Sequence, residues 1–431
     1  MLDGTMSPVE SASAMDREVA NSRYWPTLWR VIAGLIFDCL DIAIFGSLIP
    51  VFIAAGFLTK GSAAAIATVT FAGLLLGSVL QGPLTDWLGR RPLYQWNILI
   101  YGVATLATAF APNEYVLGIL RFISGLALGA EVPLAYSYAA EIVPRRTRGR
   151  DMALVNLIGG NIPFPLAVGV VLWLSGPIGW RGIFALIGVL SLLVLVARVR
   201  MPESDRWRRA KDRPPELEGT PARVGGLRRT LRDGIDLGRQ YPNRLGGLML
   251  GLFVSFVALY GLNTWLPTLL VGRGLDVAKS LTFTLVITMA FPVSSLLLAL
   301  LLDRIGRRPI AISAFVLAAV FGLIFGNVHS DAAVLVVGFF MSLFVVTTAN
   351  CMEVYAGEVF PTRARATGTG MAFGAARFGS VVASYIILGA FTAWGYAAVF
   401  VVLCVGLAIG ALAVLWVRTE PKRRSLEHIA Q

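Results

Sequence analysis

The sequence contains little charge for its length. Charged residues make up 14 % of the 431 residues, and 56 % are hydrophobic. A soluble domain has about 25 % charged residues, so water is not expected to be the solvent for most of this surface. Histidine is scarce as well: His329 and His428 are the two in the chain, and both lie outside the predicted helix centres. We therefore expect any proton transfer to depend on carboxylates.

Cysteine is almost absent. Cys39, Cys351 and Cys404 all lie in apolar segments, so neither a disulfide framework nor a metal site is expected. Residues 1–24 carry several acidic side chains and no apolar core, which argues against a cleavable signal peptide. No phosphate-binding loop, metal cluster or nucleophile constellation stands out. The sequence predicts no enzyme, no cofactor and no metal.

Long apolar runs dominate the chain instead. A membrane-spanning helix needs roughly 20 apolar residues, and about twelve such runs occur, six in each half. These runs predict an all-α membrane protein. They cover roughly 27–49, 63–85, 93–111, 114–140, 152–174, 180–200, 245–270, 278–302, 309–327, 331–358, 366–389 and 393–417.

Basic residues are distributed unevenly around these runs. Of the 37 Lys and Arg residues, 31 lie in the two termini and in alternate loops, on one side of the predicted membrane. This positive-inside pattern predicts that both termini are cytoplasmic. It also argues that the net charge of +12 attracts anionic lipid rather than nucleic acid. The basic residues of the opposite side are Lys60, Arg181, Arg273 and Lys279.

The chain contains an internal repeat. Residues 86–92, Asp-Trp-Leu-Gly-Arg-Arg-Pro, recur as Asp-Arg-Ile-Gly-Arg-Arg-Pro at 303–309, an offset of 303 minus 86, or 217 residues. The same offset maps Glu141 onto Glu358. Two copies of one helical unit in one register, in a chain this apolar, indicate a two-fold membrane transporter. We expect a monomer with a tail at 1–24, six-helix bundles at 25–200 and 241–417, a cytoplasmic linker at 201–240 and a tail at 418–431.

The repeated loops carry a family signature. Residues 82–91, Gly-Pro-Leu-Thr-Asp-Trp-Leu-Gly-Arg-Arg, resemble that of the major facilitator superfamily. The motif from Pro133 to Gly149 resembles its sugar-porter and organic-ion branches, and the spacing Gly34-x-x-x-Asp38-x-x-Asp41 is similar to the first helix of bacterial aromatic-acid and niacin transporters and of the synaptic vesicle protein 2 group. The resemblance implies twelve helices in two pseudo-symmetric bundles that work by alternating access. The short first outside loop favours a bacterial inner-membrane protein.

We expect the repeated loops and the neighbouring helix ends to act as conformational latches, because their opposite charges can pair in one conformation and separate in another. The alternative is a simple turn with arginines that set topology. The predicted latch residues are Asp86, Arg90, Arg91, Glu141, Arg148, Asp303, Arg307, Arg308, Glu358 and Arg365.

Four charged residues inside the first half are candidates for proton coupling. Asp38 and Asp41 lie three residues apart, so they are expected to share a helix face and should not both carry a charge easily in a low dielectric. Resemblance to sugar porters implies that Arg121 pairs with Asp41, so that a proton on Asp41 releases Arg121; the alternative is a static ion pair. Glu131 is a second proton site, a substrate contact or a structural residue.

Arg377 is the main candidate for substrate binding. It lies inside a predicted span and resembles the arginine of organic-anion carriers. A carboxylate can accept two parallel hydrogen bonds from a guanidinium; the alternative is a permanent partner such as Glu353. Further candidates for the lining of a cavity are the polar and aromatic residues Asn156, Asn161, Tyr260, Asn263, Trp265 and Phe291.

Glycine and proline inside the spans suggest close packing and bends. Small residues four apart let helices approach closely in lipid, as at Gly73 and Gly77 and at Gly125 and Gly129. Proline frees a backbone carbonyl and permits a bend, as at 133, 163, 165 and 292.

These observations favour proton-coupled uptake of a small organic anion, with an aromatic monocarboxylate such as nicotinate as the specific candidate. The expected partners are a small carboxylate, protons and membrane lipid. One alternative is an organic-cation or drug exporter in which Asp38, Asp41 and Glu131 attract the cation. The other is a non-transporting membrane sensor.

Overall fold

The structure is a computed structural model that describes residues 24–88, 90–143, 147–198, 236–360 and 365–417. Both predicted tails and most of the predicted linker 201–240 lie outside the described residues. Nearly all described residues are helical. The predicted all-α class is confirmed.

Twelve long helices run through the described residues, and their ends lie within a few residues of the predicted spans. They are α1 (Tyr24–Ala54), α2 (Lys60–Leu88), α3 (Arg90–Thr108), α4 (Glu114–Ile142), α5 (three segments, Arg148–Leu154, Val155–Asn161 and Pro163–Leu174), α6 (Gly179–Arg198), α7 (Pro242–Gly272), α8 (two segments, Val277–Thr288 and Ala290–Ile305), α9 (Arg307–Asn327), α10 (Asp331–Glu358), α11 (Arg365–Trp394) and α12 (Tyr396–Trp416).

Eleven of these helices are long and apolar enough to cross a membrane. The remaining one, α3, has 19 residues. Its first half contains Arg90, Arg91, Gln95 and Asn97, which lower its hydropathy. We assign α3 as a span because its neighbours cross on either side of it.

The internal repeat extends to the way in which helices begin. The side chain of Asn113 accepts a hydrogen bond from the backbone N–H of Val116 and caps α4 (3.0 Å). Ser330, which lies 217 residues later, caps α10 by accepting from the N–H of Ala333 (3.3 Å). Each cap satisfies a backbone donor that would otherwise lack a partner. The two halves thus use the same local device at equivalent positions.

Proline interrupts two of the helices for which the sequence predicts a bend, whereas α4 continues through residue 133. A proline at position i clashes with the carbonyl of residue i−4 and donates no hydrogen bond to it. In α8 this carbonyl belongs to Thr288, four residues before Pro292, and the helix breaks there. In α5 the prolines at 163 and 165 follow a π-helical stretch, Val155–Asn161, which the sequence did not predict. Such stretches are frequent at functional sites.

Glycines bring α2 and α4 into close contact, which confirms the predicted packing role of small residues. A Cβ atom at Gly73 would collide with the backbone oxygen of Phe122, and one at Gly129 would collide with the backbone of Leu74. Only residues without a side chain permit this approach. The contact places the middle of α4 beside the other helices of the first half.

The two halves of the chain meet at the end where α1 and α7 finish. A Cβ atom at Gly46 would come within 2.7 Å of the Cα of Thr264 on α7. The ammonium group of Lys60 lies 4.6 Å from the ring centre of Phe391 at the end of α11. These contacts close that end of the molecule. The positive-inside pattern predicts that it is the outer end.

Candidate functional site

A buried ion pair joins Asp41 of α1 to Arg121 of α4. Nη1 of Arg121 donates to both carboxylate oxygens of Asp41, at 2.8 and 2.9 Å, and the side chains are 0 % and 1 % exposed. The hydroxyl of Tyr101 on α3 donates to Oδ1 of Asp41 (3.3 Å). Nη2 of Arg121 donates to the hydroxyl oxygens of Thr105 (3.3 Å) and Thr108 (3.4 Å). The structure makes the pairing that the resemblance implied.

A second group of ionisable side chains, from three other helices, lies within electrostatic range of Arg377 of α11. The charges of Asp38 on α1 and Glu353 on α10 act on its guanidinium, and Tyr260 of α7 lies in the same neighbourhood. Arg377 nevertheless forms no salt bridge among the described residues, and its buried Nη1 atom has no hydrogen-bond partner among them. The permanent ion pair with Glu353, considered from the sequence, is therefore not made here.

Asp38 and Asp41 do not act as one pair of carboxylates in this structure. Asp41 is held by Arg121, whereas the basic side chain that acts electrostatically on Asp38 is Arg377. Asp38 is 2 % exposed, and its Oδ1 atom has no hydrogen-bond partner among the described residues. One carboxylate is thus fully satisfied by protein groups, and the other is not.

Open space adjoins Arg377 along its own helix. Gly374 and Gly370 precede Arg377 by three and seven residues, so they lie on the same helix face. A Cβ atom added at either glycine would meet no other atom within 4 Å. Other protein groups therefore do not cover this face of α11 at the two glycines.

A second buried ion pair joins Glu131 of α4 to Arg198, the last residue of α6. Oε1 of Glu131 lies 2.6 Å from Nη2 of Arg198, with side chains 4 % and 0 % exposed. Nε of Arg198 donates to the carbonyl of Arg30 (3.1 Å), and its guanidinium lies 4.8 Å from the ring centre of Tyr94. A Cβ atom at Gly34 would overlap both charged groups, so the glycine provides the space for the pair.

The role of Arg198 was not predicted from the sequence. This arginine lies at the end of an apolar run beside Arg200 and other basic residues, so it is expected to belong to the basic loop that follows α6. The structure instead places it inside the first half. Glu131 could have indicated a buried basic residue on another helix. It is a carboxylate in mid-helix, and such a charge usually faces a partner or a cavity.

The π-helical stretch of α5 organises a polar cluster. Nδ2 of Asn161 donates to Oδ1 of Asn156 (2.7 Å), and Nδ2 of Asn156 donates to the hydroxyl of Tyr136 on α4 (3.1 Å). Ser295 of α8 donates to Oδ1 of Asn156 (3.2 Å). The two predicted asparagines therefore lie together and contact both halves of the chain. Tyr136 and Ser295 were not predicted.

The predicted aromatic residues lie near the middle of the molecule but not in one place. The rings of Tyr260 and Phe71 lie 5.1 Å apart, and those of Phe291 and Phe164 lie 4.4 Å apart; each pair bridges the two halves. Phe291 and Asn263 line a small, mostly apolar pocket inside the second half, whose lining does not include Arg377 or Tyr260. Trp265 is 1 % exposed and packs in the core.

Several predicted latch residues of the second half contact one another or a neighbouring helix end. Nη2 of Arg307 donates to Oε1 of Glu358 (3.1 Å) and lies 3.0 Å from Oδ1 of Asp303. Nη2 of Arg308 donates to the carbonyl of Leu415 (3.0 Å). These contacts join the α8–α9 loop to the ends of α10 and α12. The side chains of Asp86, Arg90, Glu141, Arg148 and Arg365 lie outside the described residues.

Arg91, another predicted latch residue, is half-buried.

Among the described residues, no group of three or more His, Cys, Asp and Glu side chains could hold a metal ion.

Comparison with known proteins places this arrangement in a family. A family model described as the Major Facilitator Superfamily matches residues 31–299 and 280–430. The niacin transporter NiaP of Acinetobacter baylyi is 28 % identical over 423 residues, which cover 94 % of this chain and 96 % of that protein. The gentisate transporter of Corynebacterium glutamicum is 30 % identical over 400 residues, covering 91 % and 87 %.

A solved structure has the same fold. The inward open conformation of the xylose transporter XylE from E. coli superposes with a TM-score of 0.72 at 20 % identity, covering 94 % of this chain and 98 % of that one. The predicted family and the twelve-helix fold are thereby confirmed. The chain belongs to the Major Facilitator Superfamily and is a multi-pass membrane transporter of a small molecule, not an enzyme.

Proposed function

We propose that the protein takes up a small organic anion together with protons, and that the anion is an aromatic monocarboxylate such as nicotinate. The observation that carries this proposal is the unpartnered Nη1 atom of Arg377, buried in the middle of the molecule beside open space. A buried cation without a partner is energetically costly. A substrate carboxylate would supply the partner by accepting two parallel hydrogen bonds from the guanidinium.

The charge balance around Arg377 links anion binding to proton binding. With Asp38 and Glu353 both ionised, the three side chains carry one net negative charge, which repels an anion. A proton on one carboxylate makes the group neutral, and the anion then meets a guanidinium with no competing charge. Binding of the anion and of a proton would favour each other, which is the requirement for symport.

Asp41 and Arg121 provide the second element of coupling. A proton on Asp41 would break the bidentate contact and release Arg121, and loss of the proton would restore it. Thr105 and Thr108 accept from the other guanidinium nitrogen, so Arg121 would keep partners while Asp41 is protonated. Coupling between this pair and the rocking of the two halves would give accumulation driven by a pH gradient.

An aromatic substrate is supported by the rings near the site and by the relatives. The ring of Tyr260 lies 5.1 Å from that of Phe71, and Tyr260 is within electrostatic range of Arg377; a planar ring could stack there. Relatives are named as niacin, gallate, gentisate and 4-hydroxybenzoate transporters. Each of these compounds combines an aromatic ring with a carboxyl group, which matches an arginine next to aromatic side chains.

The same proposal includes alternating access between two six-helix bundles and the cytoplasmic placement of both termini. It also includes location in a bacterial inner membrane and a monomeric state. Contacts at Gly46 and Lys60 close the predicted outer end, as expected of a state that opens inward. The latch of Arg307, Glu358 and Asp303 would hold the inner end of the second half together during this movement.

An organic-cation exporter is less well supported. Asp41 and Glu131 are each neutralised by an arginine at salt-bridge distance, and Asp38 lies under the influence of Arg377. Asp38 is the one of the three without a salt bridge among the described residues, and the positive charge of Arg377 opposes binding of a second cation there. A panel of aromatic acids and amines in a thermal-shift assay separates the two functions, because the exporter predicts stabilisation by amines.

The direct experiment is uptake of radiolabelled carboxylic acids into proteoliposomes with an imposed pH gradient. Nicotinate, gentisate, gallate and 4-hydroxybenzoate form the test set, and benzylamine is the cationic control. The proposal predicts accumulation of at least one acid, abolished by a protonophore. Accumulation of the amine alone would contradict it, and so would absence of any transport by a protein that binds these acids.

A further inference from the structure

The hydroxyl group of Tyr136 on α4 has a proton that the protein does not use. Its oxygen accepts a hydrogen bond from Nδ2 of Asn156 (3.1 Å), so its own proton points in another direction. Among the described residues, none accepts a hydrogen bond from this hydroxyl. Tyr136 is half-buried. The phenol is therefore a donor whose acceptor has to come from elsewhere.

Hydrogen bonds hold the Asn156 amide in one orientation. Its Oδ1 atom accepts from Nδ2 of Asn161 (2.7 Å) and from the hydroxyl of Ser295 on α8 (3.2 Å). Because this oxygen already has two donors, the nitrogen of the amide is the atom that faces Tyr136. The π-helical stretch of α5 thus fixes the phenol as an oriented donor, at a point where the two halves of the chain touch.

The internal repeat places Tyr136 close to the proposed anion site. Tyr136 is the counterpart of Glu353 on α10, since 353 minus 217 is 136, and the charge of Glu353 acts on the phenol. Counterparts in two halves related by a pseudo-two-fold axis approach each other only near that axis. Asp38 and Glu353 act on both Tyr136 and Arg377. In transporters built from repeats, substrates bind at this interface between the repeats.

Glycine keeps the surroundings of the phenol open. Gly160 of α5 is the counterpart of Arg377, since 377 minus 217 is 160. A Cβ atom at Gly160 would lie 3.8 Å from the hydroxyl oxygen of Tyr136, which is ordinary van der Waals contact, and a larger side chain would crowd this oxygen. The second half therefore offers a cation, whereas the first half offers an uncharged hydrogen-bond donor.

We propose that Tyr136 determines which aromatic acids the transporter selects, by donating its free proton to an acceptor on the substrate ring. The pyridine nitrogen of nicotinate and the hydroxyl oxygen of 4-hydroxybenzoate are acceptors of this kind. The inference rests on the proposed binding of the substrate carboxylate by Arg377. With the carboxylate held by the second half, the ring extends towards the first half and its acceptor meets the phenol.

Benzoate shows what this contact contributes to selection. It has the same carboxylate and the same ring shape, but its ring carries no acceptor. When it binds, the hydroxyl of Tyr136 loses access to water and gains no partner, and such an unpaired donor is the basis on which a site rejects an analogue. Nicotinate and benzoate form the sharpest pair, because they differ only in a ring nitrogen that replaces a C–H group.

The test compares the affinities of nicotinate, 4-hydroxybenzoate and benzoate by calorimetry on detergent-solubilised full-length protein. The unmodified protein should bind at least one of the two acids with a ring acceptor about fivefold or more tightly than benzoate, as one neutral hydrogen bond provides. Tyr136→Phe should lose this preference, while its Kd for benzoate stays within about twofold. Arg377→Ala should instead weaken binding of all three acids, because each has the carboxylate.

Tyr138→Phe is the matched control. It removes the same hydroxyl from the same helix, two residues later, where the side chain is 2 % exposed and its ring lies 5.9 Å from that of Tyr94. Two residues turn a helix by about 200°, so Tyr136 and Tyr138 point to different sides of α4. The control should keep all three affinities within about twofold. Loss of the preference in both variants would indicate a general effect on α4 and overturn the role of Tyr136.

The outcomes separate the role of Tyr136 from the proposed function. An equal fall in affinity for all three acids in Tyr136→Phe overturns selection by the ring acceptor, because the phenol then supports the site as a whole. Equal affinity of the unmodified protein for all three acids also overturns it and leaves the anion site in place. An unmodified protein that is folded and binds none of the acids overturns both proposals.

Discussion

Arg121 donates from one nitrogen, Nη1, to both oxygens of Asp41, at 2.8 and 2.9 Å, although the two residues lie 80 positions apart on different helices. Neither side chain is more than 1 % exposed. Removing one partner of such a pair leaves an uncompensated buried charge, which costs about 3–5 kcal/mol. The pair is therefore stable when intact and sensitive to a single proton.

Asp41→Asn should abolish accumulation driven by a pH gradient while leaving exchange of substrate at equal pH. An amide accepts one hydrogen bond from Arg121 but binds no proton in the physiological range, so the pair can no longer respond to pH. The measurement is uptake and counterflow of one labelled acid in the same proteoliposome preparation. Unchanged accumulation in this variant would remove Asp41 from the coupling mechanism.

Arg377→Ala should weaken binding of the aromatic acid by at least about 2 kcal/mol, or about thirtyfold in Kd, since a charge-assisted contact is lost. Arg377→Lys should bind more weakly than the unmodified protein but more tightly than the alanine variant, because it keeps the charge and loses the planar fork. Calorimetry on detergent-solubilised protein measures both. Retained affinity in Arg377→Ala would contradict the anion-binding role.

Gly34→Ala should lower the free energy of unfolding by about 3 kcal/mol, because the added methyl group overlaps Glu131 and Arg198 and separates their ion pair. Gly389→Ala is the control, since a Cβ atom there meets no atom within 4 Å; it should gain up to about 1 kcal/mol from helix propensity. Thermal unfolding followed by intrinsic fluorescence measures the difference. Equal stability of the two variants would contradict the position assigned to Gly34.

Gly46→Leu should prevent closure of the end at which α1 meets α7. Even a Cβ atom at this position would come within 2.7 Å of the Cα of Thr264, so a longer side chain must separate the helices. Transport should be lost while binding of the acid persists. A cysteine introduced at Thr264 should be labelled faster in the Gly46→Leu variant than in the protein that keeps Gly46. Unchanged labelling together with full transport would show that the contact between α1 and α7 is not needed.

Glu358→Gln should weaken the contact that joins the α8–α9 loop to the end of α10, because Arg307 loses the charge of Glu358 and keeps its contact with Asp303. The pair is partly exposed, so the cost in stability is expected to be no more than about 1 kcal/mol. The expected effect is a change in transport rate with affinity kept. Measurement of the rate at several salt concentrations tests the electrostatic origin, since a latch made of ion pairs weakens as salt rises.

The number and the order of the helices were predictable because each span must bury backbone polarity within itself and present an apolar surface to lipid. The break in α8 was predictable from Pro292, because proline clashes with the carbonyl four residues before it and donates no hydrogen bond to it. The π-helical stretch in α5 was not, because several arrangements satisfy the backbone before its two prolines. Side-chain packing decides among them, as the contacts of Asn156 with Tyr136 and Ser295 indicate.

The sequence by itself determined the family, the twelve helices, the repeat at an offset of 217 residues and the set of charged residues inside the spans. These features follow from composition, spacing and local backbone chemistry. Tertiary structure alone decided which charges meet: Glu131 with Arg198, and Arg377 beside Asp38 without a direct partner. Such pairings depend on how helices distant in the chain rotate and approach, and the interior electrostatics that follow from them determine where a proton and an anion can bind.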